Sequence, residues 1–288
     1  MDQHAIASAG IAARISAEGA ELQSLCDASG REFLWQAGPE WPRHAPVLFP
    51  IVGRLVGDTL RHRGQSYRLT QHGFARDRHF AWVERTPSSC RLALTDDAET
   101  RARYPFPFRF EVAYAAEAGG LSISFSITNT SPDILPASMG AHPAFSWPLP
   151  AGPAKDQHVL TFAEPEPEPV RRLTGGLLRP DALPSPIEGR VLHLSESLFA
   201  DDALILDRPA SRSVRFTGPG APGLEVSWDG FSELGIWMKP GADFLCIEPW
   251  SGCASPIGFD GEFSEKPGVL LIPPGEQRTA THRVRLLG

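Results

Sequence analysis

Three short stretches of this 288-residue chain carry ionisable side chains in settings that could do chemistry: "QHGFARD" (71–77), "GAHPAFSW" (140–147) and "FLCIEPWSG" (244–252). In the first, His72 precedes Gly73, a residue that permits positive φ or a close backbone approach. In the second, Pro143 holds His142 in an extended conformation. In the third, Phe244, Cys246 and Glu248 share one face of an apolar strand and Leu245 and Ile247 the other. A glutamate at the end of such a strand, beside Pro249 and Trp250, is expected to be desolvated. Desolvation raises a carboxyl pKa and suits it to base chemistry near neutral pH. Each stretch also has a plain structural reading. A single histidine in a turn is usually a hydrogen-bonded framework residue, and a strand-end glutamate usually lies on the rim.

Other chemistries find less support. His72 and His79 lack the spacing of H-E-x-x-H, so local spacing gives no zinc site. "TGPGAPG" (217–223) lacks the Lys-Ser/Thr of a phosphate loop, and no G-x-S-x-G elbow occurs. Cys26, Cys90, Cys246 and Cys253 form no C-x-x-C pair and read as reduced thiols. The net charge of −7 argues against nucleic acid and gives no support for anionic membranes. No signal-like start or membrane-length apolar run is read, so a cytoplasmic protein is expected.

The elements that must position these groups are mostly strands. "LSISFSIT" (121–128) alternates apolar residues with Ser and Thr over eight positions. "RLALT" (91–95), "FRFEVAYA" (108–115), "SVRFT" (213–217), "GLEVSW" (223–228), "LGIWMK" (234–239) and "HRVRLL" (282–287) repeat the pattern, and "GREFLWQ" (30–36) reads the same way. Asp229-Gly230 is a turn between two of them. With 28 prolines, long helices are not expected. One short helix fits 96–106, and "PEWPRHAPVLFP" (39–50) supports only turns. "EPEPEPV" (164–170) should be an extended, solvated loop. The expectation is an all-β protein, a large antiparallel β-sandwich with few short helices, spanning 1–288 as a single domain.

Taken in order, these stretches resemble the aldose 1-epimerase (mutarotase) family, in its galactose mutarotase-like bacterial branch. "GAELQSL" (19–25), "LFPIVGRL" (48–55), "YPFPF" (104–108) and "DDALIL" (201–206) join the three stretches above, so the resemblance spans nearly the whole chain. It implies a β-sandwich with a sugar cleft and interconversion of α and β anomers of a free aldose through ring opening. That reaction needs an acid and a base on opposite sides of the hemiacetal, with no metal or cofactor. The resemblance implies His142 as the acid at the ring oxygen and Glu248 as the base at the anomeric hydroxyl. His72 matches a second histidine that polarises the ring oxygen. Arg54 and Asp202 match residues that bind sugar hydroxyls, with Asp201 a one-residue alternative, since only one of two successive strand residues should enter the cleft.

Arg76, Arg78 and Lys239 could contact a phosphate if the substrate is a hexose 6-phosphate. Trp147, with Trp237 and Trp250, could form a stacking surface, as would suit a binding or sensing protein without catalysis. A glycoside hydrolase would instead need a second carboxylate beside Glu248, with Asp202 a candidate. "GR" and "HPAFSW" depart from the "NR" and "HPYFN" of better-known galactose mutarotases, which leaves the sugar open. The expected partner is a small-molecule sugar, with the chain acting as monomer or homodimer.

Overall fold

The structure is a computed structural model and describes residues 2–287. Two large antiparallel sheets dominate it. The nine-stranded sheet runs from Val191–His193 at one edge, through Leu224–Asp229, Gln277–Leu286, Gly120–Asn129 and Phe108–Glu117, to Ala81–Arg85 at the other. The eight-stranded sheet runs from Leu177–Leu183 to Val47–Leu48, and Phe244–Ser251 lies inside it between Glu233–Trp237 and Met139–Ala141. The short strand Ala144–Ser146 also pairs with Phe244–Ser251. Residues 3–27 add a three-stranded sheet.

The alternation seen in the sequence sets the layers. Leu121, Ile123, Phe125 and Ile127 are buried, while Ser122, Ser124, Ser126 and Thr128 lie half-exposed on the outer face. There Ser124 and Ser126 share hydroxyl hydrogen bonds with Thr281 and Thr279 on the neighbouring strand. The inner face packs with Phe108, Phe110 and Val112 on Leu234, Ile236, Leu245 and Ile247 in one hydrophobic cluster that runs from Ile6 to Val284. Each such side chain contributes roughly 1.5–3 kcal/mol on burial.

Phe244–Ser251 differs, being buried at every position. One face packs into the inter-sheet core. The other, bearing Phe244, Cys246, Glu248 and Trp250, is covered by loops. A strand covered on both faces can keep a carboxylate dry, which the alternating strands of the outer sheet cannot.

The single α-helix among the described residues, Ala98–Arg101, falls within 96–106 and is capped by Asp97 and Thr100. Three expectations need correction. Residues 30–36 form no regular strand: Glu32 and Leu34 make only isolated bridges, to Cys26 and Phe145. The strands on either side of Asp229-Gly230 belong to different sheets, so this turn crosses the sandwich instead of closing a hairpin. In the Glu-Pro run, Glu166 is buried, because its carboxylate accepts from the backbone N–H groups of Ala210 and Ser211.

Candidate active site

A cavity of about 530 Å³ opens over the loop-covered face of Phe244–Ser251, within the size range of small-ligand sites. His142, Glu248 and His72 all line it, although they come from three distant parts of the chain. Arg76, Asp202, Lys239, Trp237 and Trp250 line it too.

Main-chain pairing places the first two. Ala144 is opposite Cys246 in the ladder between Ala144–Ser146 and Phe244–Ser251, which brings the turn bearing His142 over Glu248. The His142 Nε2 and Glu248 Oε2 atoms are 3.2 Å apart. His142 is 8% exposed and Glu248 1%. Oε2 nevertheless has no hydrogen bond of good geometry, and neither have His142 Nδ1, Trp250 Nε1 and Arg76 Nε, although Arg76 Nε lies 3.9 Å from Asp77 Oδ2 and the Trp250 indole acts on the Glu248 carboxyl. Four buried polar atoms around one cavity thus keep unused hydrogen-bonding capacity, whereas most buried polar atoms are paired. The two groups adjoin on one floor. The ring oxygen and the anomeric hydroxyl sit on the same carbon, so adjoining groups can reach both.

Burial pushes the Glu248 carboxyl well above its ordinary range; the Trp250 indole opposes this and the Asp202 charge adds to it. Burial pushes the His142 imidazole down, helped by the Arg76 charge. An imidazole facing a carboxylic acid and an imidazolium facing a carboxylate contain the same number of protons. The pair can therefore hold one proton and relocate it, and burial favours the uncharged form of both partners.

Trp41 stacks on the imidazole of His142, centroids 5.2 Å apart and planes at 28°. Trp237 meets the same ring edge-on at 5.6 Å. Trp41 lies in the proline-broken segment and the sequence offered only a turn there. Its position is held by the Trp35 indole N–H, which donates to the Trp41 carbonyl at 2.8 Å. The one available signal was a pair of tryptophans around a turn, "WQAGPEW" (35–41).

His72 is held by backbone. His72 and Gly73 both have positive φ, 66° and 70°. The His72 N–H donates to the Gly53 carbonyl at 2.8 Å, and the Gly53 N–H donates to His72 Nδ1 at 3.2 Å. Nδ1 is thus an acceptor, and the ring proton sits on Nε2. Nε2 lies 3.2 Å from the Gln71 side-chain amide, whose oxygen is then the atom that belongs against it. Burial, with His142 and Arg76 adding, holds His72 well below its ordinary range, so it is a neutral donor. A Cβ on Gly73 would lie 2.3 Å from the Phe49 carbonyl oxygen, so the two loops approach as closely as only glycine allows.

Asp202 reaches the cavity from a turn, at φ 68°, ahead of the strand Leu204–Leu206. The strand-alternation reason for choosing between Asp201 and Asp202 therefore does not apply; Asp201 does not line the cavity. Arg172 holds this turn by donating to the carbonyls of Asp202 and Leu198. Arg76 donates to the Gln71 carbonyl, and burial lowers its pKa to about 10.

Two residues lie elsewhere. Arg54 does not line the cavity: the chain turns at Gly57, φ 61°, and its guanidinium pairs with Asp58 at 2.8 Å in solvent. Trp147 is fully buried in the main core, donating to the Lys155 carbonyl at 2.9 Å and packing on Phe199. Trp41, Trp237 and Trp250 supply the aromatic walls instead. All four cysteines are free. No described helix is long and apolar enough to cross a membrane.

This two-sheet antiparallel sandwich is the fold of galactose mutarotase-like proteins. The chain belongs to the aldose 1-epimerase family, whose sequence pattern matches residues 2–267, and it is an isomerase of the epimerase type. A galactose mutarotase related enzyme of Lactobacillus acidophilus superposes with a TM-score of 0.91 at 34% identity, over 99% of this chain and 97% of that one. A galactose mutarotase-like protein of Lactobacillus casei gives 0.91 at 29% identity over 99% of both chains. The protein LacX of Lactococcus lactis is 32% identical over 281 residues, 93% of this chain and 94% of its own.

Proposed function

We propose that the cavity interconverts the α and β anomers of a free hexose or related aldose, with His142 and Glu248 moving the two protons. From the charged tautomer of the pair, the minor one since burial favours the uncharged form, the imidazolium of His142 gives its proton to the ring oxygen while the Glu248 carboxylate takes the proton of the anomeric hydroxyl. The C1–ring oxygen bond breaks, leaving an open-chain aldehyde and a ring-position hydroxyl. The C1 end rotates, and closure runs the same transfers in reverse, restoring both groups. His72, neutral with its proton on Nε2, exchanges its Gln71 partner for the ring oxygen and stabilises charge developing there. Asp202 accepts from distal hydroxyls, and the tryptophan walls exclude water and pack the sugar's apolar faces.

The observation that carries this reading is the 3.2 Å approach of His142 Nε2 to a Glu248 oxygen that has no other partner, at the floor of a sugar-sized cavity. Anomer exchange measured by NMR or polarimetry tests it. Glu248→Gln and His142→Ala should each lower the rate by roughly 10²–10⁴-fold with the fold intact. Either variant retaining the wild-type rate on the best substrate would overturn the assignment. Sugar binding by calorimetry without exchange of any hexose would favour a sensing protein.

A second reading, a hexose 6-phosphate as substrate, is favoured by Arg76, whose buried Nε makes no hydrogen bond and only a 3.9 Å ion pair to Asp77, and by the exposed Lys239 at the same cavity. Guanidinium and ammonium groups suit phosphate. Exchange rates for glucose, galactose and glucose 6-phosphate separate the two. An Arg76→Ala variant that loses only the phosphorylated substrate would decide for the second.

A further inference from the structure

Cys246 has no part in the proton chemistry, yet it stands two residues before Glu248 on the same strand face, and its ladder partner Ala144 lies two residues after His142. The His142 imidazole nitrogen, the Cys246 sulfur and a Glu248 oxygen all lie within 4.8 Å of one another. All three residues are buried, and Glu248 Oε2 has no hydrogen-bond partner. We propose that these three side chains form a chelating site for a thiophilic divalent cation, zinc(II) above all, whose binding blocks anomer exchange. The blocking half of this rests on the function proposed above; the chelation half does not.

Geometry and charge favour it. Tetrahedral zinc, with bonds of about 2.0–2.3 Å to nitrogen, oxygen and sulfur, sets its ligand atoms roughly 3.3–3.8 Å apart. The nitrogen–oxygen pair is already at 3.2 Å. The sulfur needs to close by about 1.5 Å at most to meet that spacing. On binding, the thiol releases its proton and the carboxyl is ionised, so two negative charges meet a dipositive ion and the dry site ends neutral. His142 and Glu248 line the cavity, so a water or a sugar hydroxyl could reach a bound ion from there as the fourth ligand. One sulfur, one imidazole and one carboxylate suit zinc, cadmium or cobalt(II), and poorly suit magnesium or calcium, which take oxygen ligands. A bound cation would occupy the lone pairs of both groups assigned to proton transfer.

The test uses the full-length protein stripped with EDTA, carrying Cys26→Ala because Cys26 is the one free cysteine that is not buried. Titrated cobalt(II) should produce a thiolate-to-cobalt charge-transfer band with tetrahedral d–d bands. Zinc(II) should displace the cobalt, suppress anomer exchange at micromolar concentration and be reversed by EDTA, with magnesium and calcium inert. Adding Cys246→Ala should abolish the charge-transfer band and weaken zinc binding at least ten-fold. X-ray absorption on the zinc-loaded protein, which needs no further variant, should show one sulfur with nitrogen and oxygen ligands. A cobalt spectrum without a thiolate band, a zinc shell without sulfur, or zinc inhibition unchanged by Cys246→Ala would overturn the site. A thiolate band in a protein whose metal-free form exchanges no sugar would instead sink the proposed function and leave the chelate standing.

Discussion

Two buried histidines invite comparison. His142 at the cavity floor and His282 between the sheets are both under 10% exposed, both have an unpartnered Nδ1 and both stack on an aromatic ring, Trp41 in one case and Phe125 in the other. Burial drives both pKa values down to about 3. Their surroundings differ. His142 touches a carboxylate and opens on a cavity, while His282 is sealed against Phe125 and Phe231 and forms no ion pair. A depressed imidazole pKa is thus a sign of burial alone. Chemistry requires a partner that can exchange the proton and a space in which a substrate can meet both.

The sharpest way to break this contrast is to exchange the roles. Glu248→Gln and His142→Ala should lose anomer exchange by roughly 10²–10⁴-fold, and His282→Phe should keep it, as rates on a common hexose would show. Glu248→Gln should also be more stable than wild type at pH 7–8. A raised carboxyl pKa in the fold costs stability as pH rises above 4.5, where the unfolded chain ionises first, so the advantage should narrow toward pH 4.5 in denaturant titrations.

Next in size is Gly73→Ala, which forces a side chain into positive φ against the Phe49 carbonyl. It should destabilise by about 1–3 kcal/mol or more and impair exchange through displacement of His72, seen as a lower Tm with a lower kcat.

The pH dependence of stability sharpens the comparison from the other side. A folded pKa below the unfolded value leaves stability intact above about 6.5 and removes it as pH falls toward the folded value. His142, His72 and His282 all act in this direction. His282→Phe should recover on the order of 2–3 kcal/mol at pH 4 and little at pH 7.5, measured by urea unfolding at both.

Trp41→Leu should slow exchange by roughly 2- to 30-fold, the equivalent of about 0.5–2 kcal/mol of cation–π support for the imidazolium. It should shift the acidic limb of the pH–rate profile to lower pH, a change that mere loss of packing would not produce. The smallest effect is expected from Arg54→Ala. Its guanidinium is tied to Asp58 in solvent, so kcat and KM should stay within about two-fold of wild type. A large rise in KM would return Arg54 to the site.

The strands were the most legible part. Period-two alternation at 121–128, 108–115 and 213–217 survives almost residue for residue, because a half-buried strand must sort its side chains by face. Residues 30–36 have similar composition but find no long partner, so pairing, a nonlocal matter, left them irregular. The short helix was legible because its cap is local, Asp97 and Thr100 being three residues apart. The site was legible in part. His72, His142, Glu248, Arg76 and Asp202 line one cavity, and His72 carried a local signal in the glycine that follows it. Trp41, Gln71 and Lys239 line it as well. Lys239 was visible only as a phosphate contact, Trp41 only as one of a pair of tryptophans around a turn, and Gln71 carried no signal of its own, since loop side chains point where distant contacts send them. Arg54 and Trp147 show the same limit from the opposite direction: their segments resemble the family, but a turn at Gly57 and packing on Phe199 take their side chains elsewhere.

The sequence by itself determined the all-β class, the face each strand buries and the chemical types brought to the site, because these follow from spacing along one chain. Only the tertiary structure decided that His142 and Glu248 touch, that His72 carries its proton on Nε2, and that Cys246 stands beside the pair. Those relations arise where Ala144–Ser146 pairs with Phe244–Ser251 and where the loops at 49–54 and 71–77 bond to each other. They depend on which backbone groups meet across long sequence separations, and no local pattern encodes that meeting.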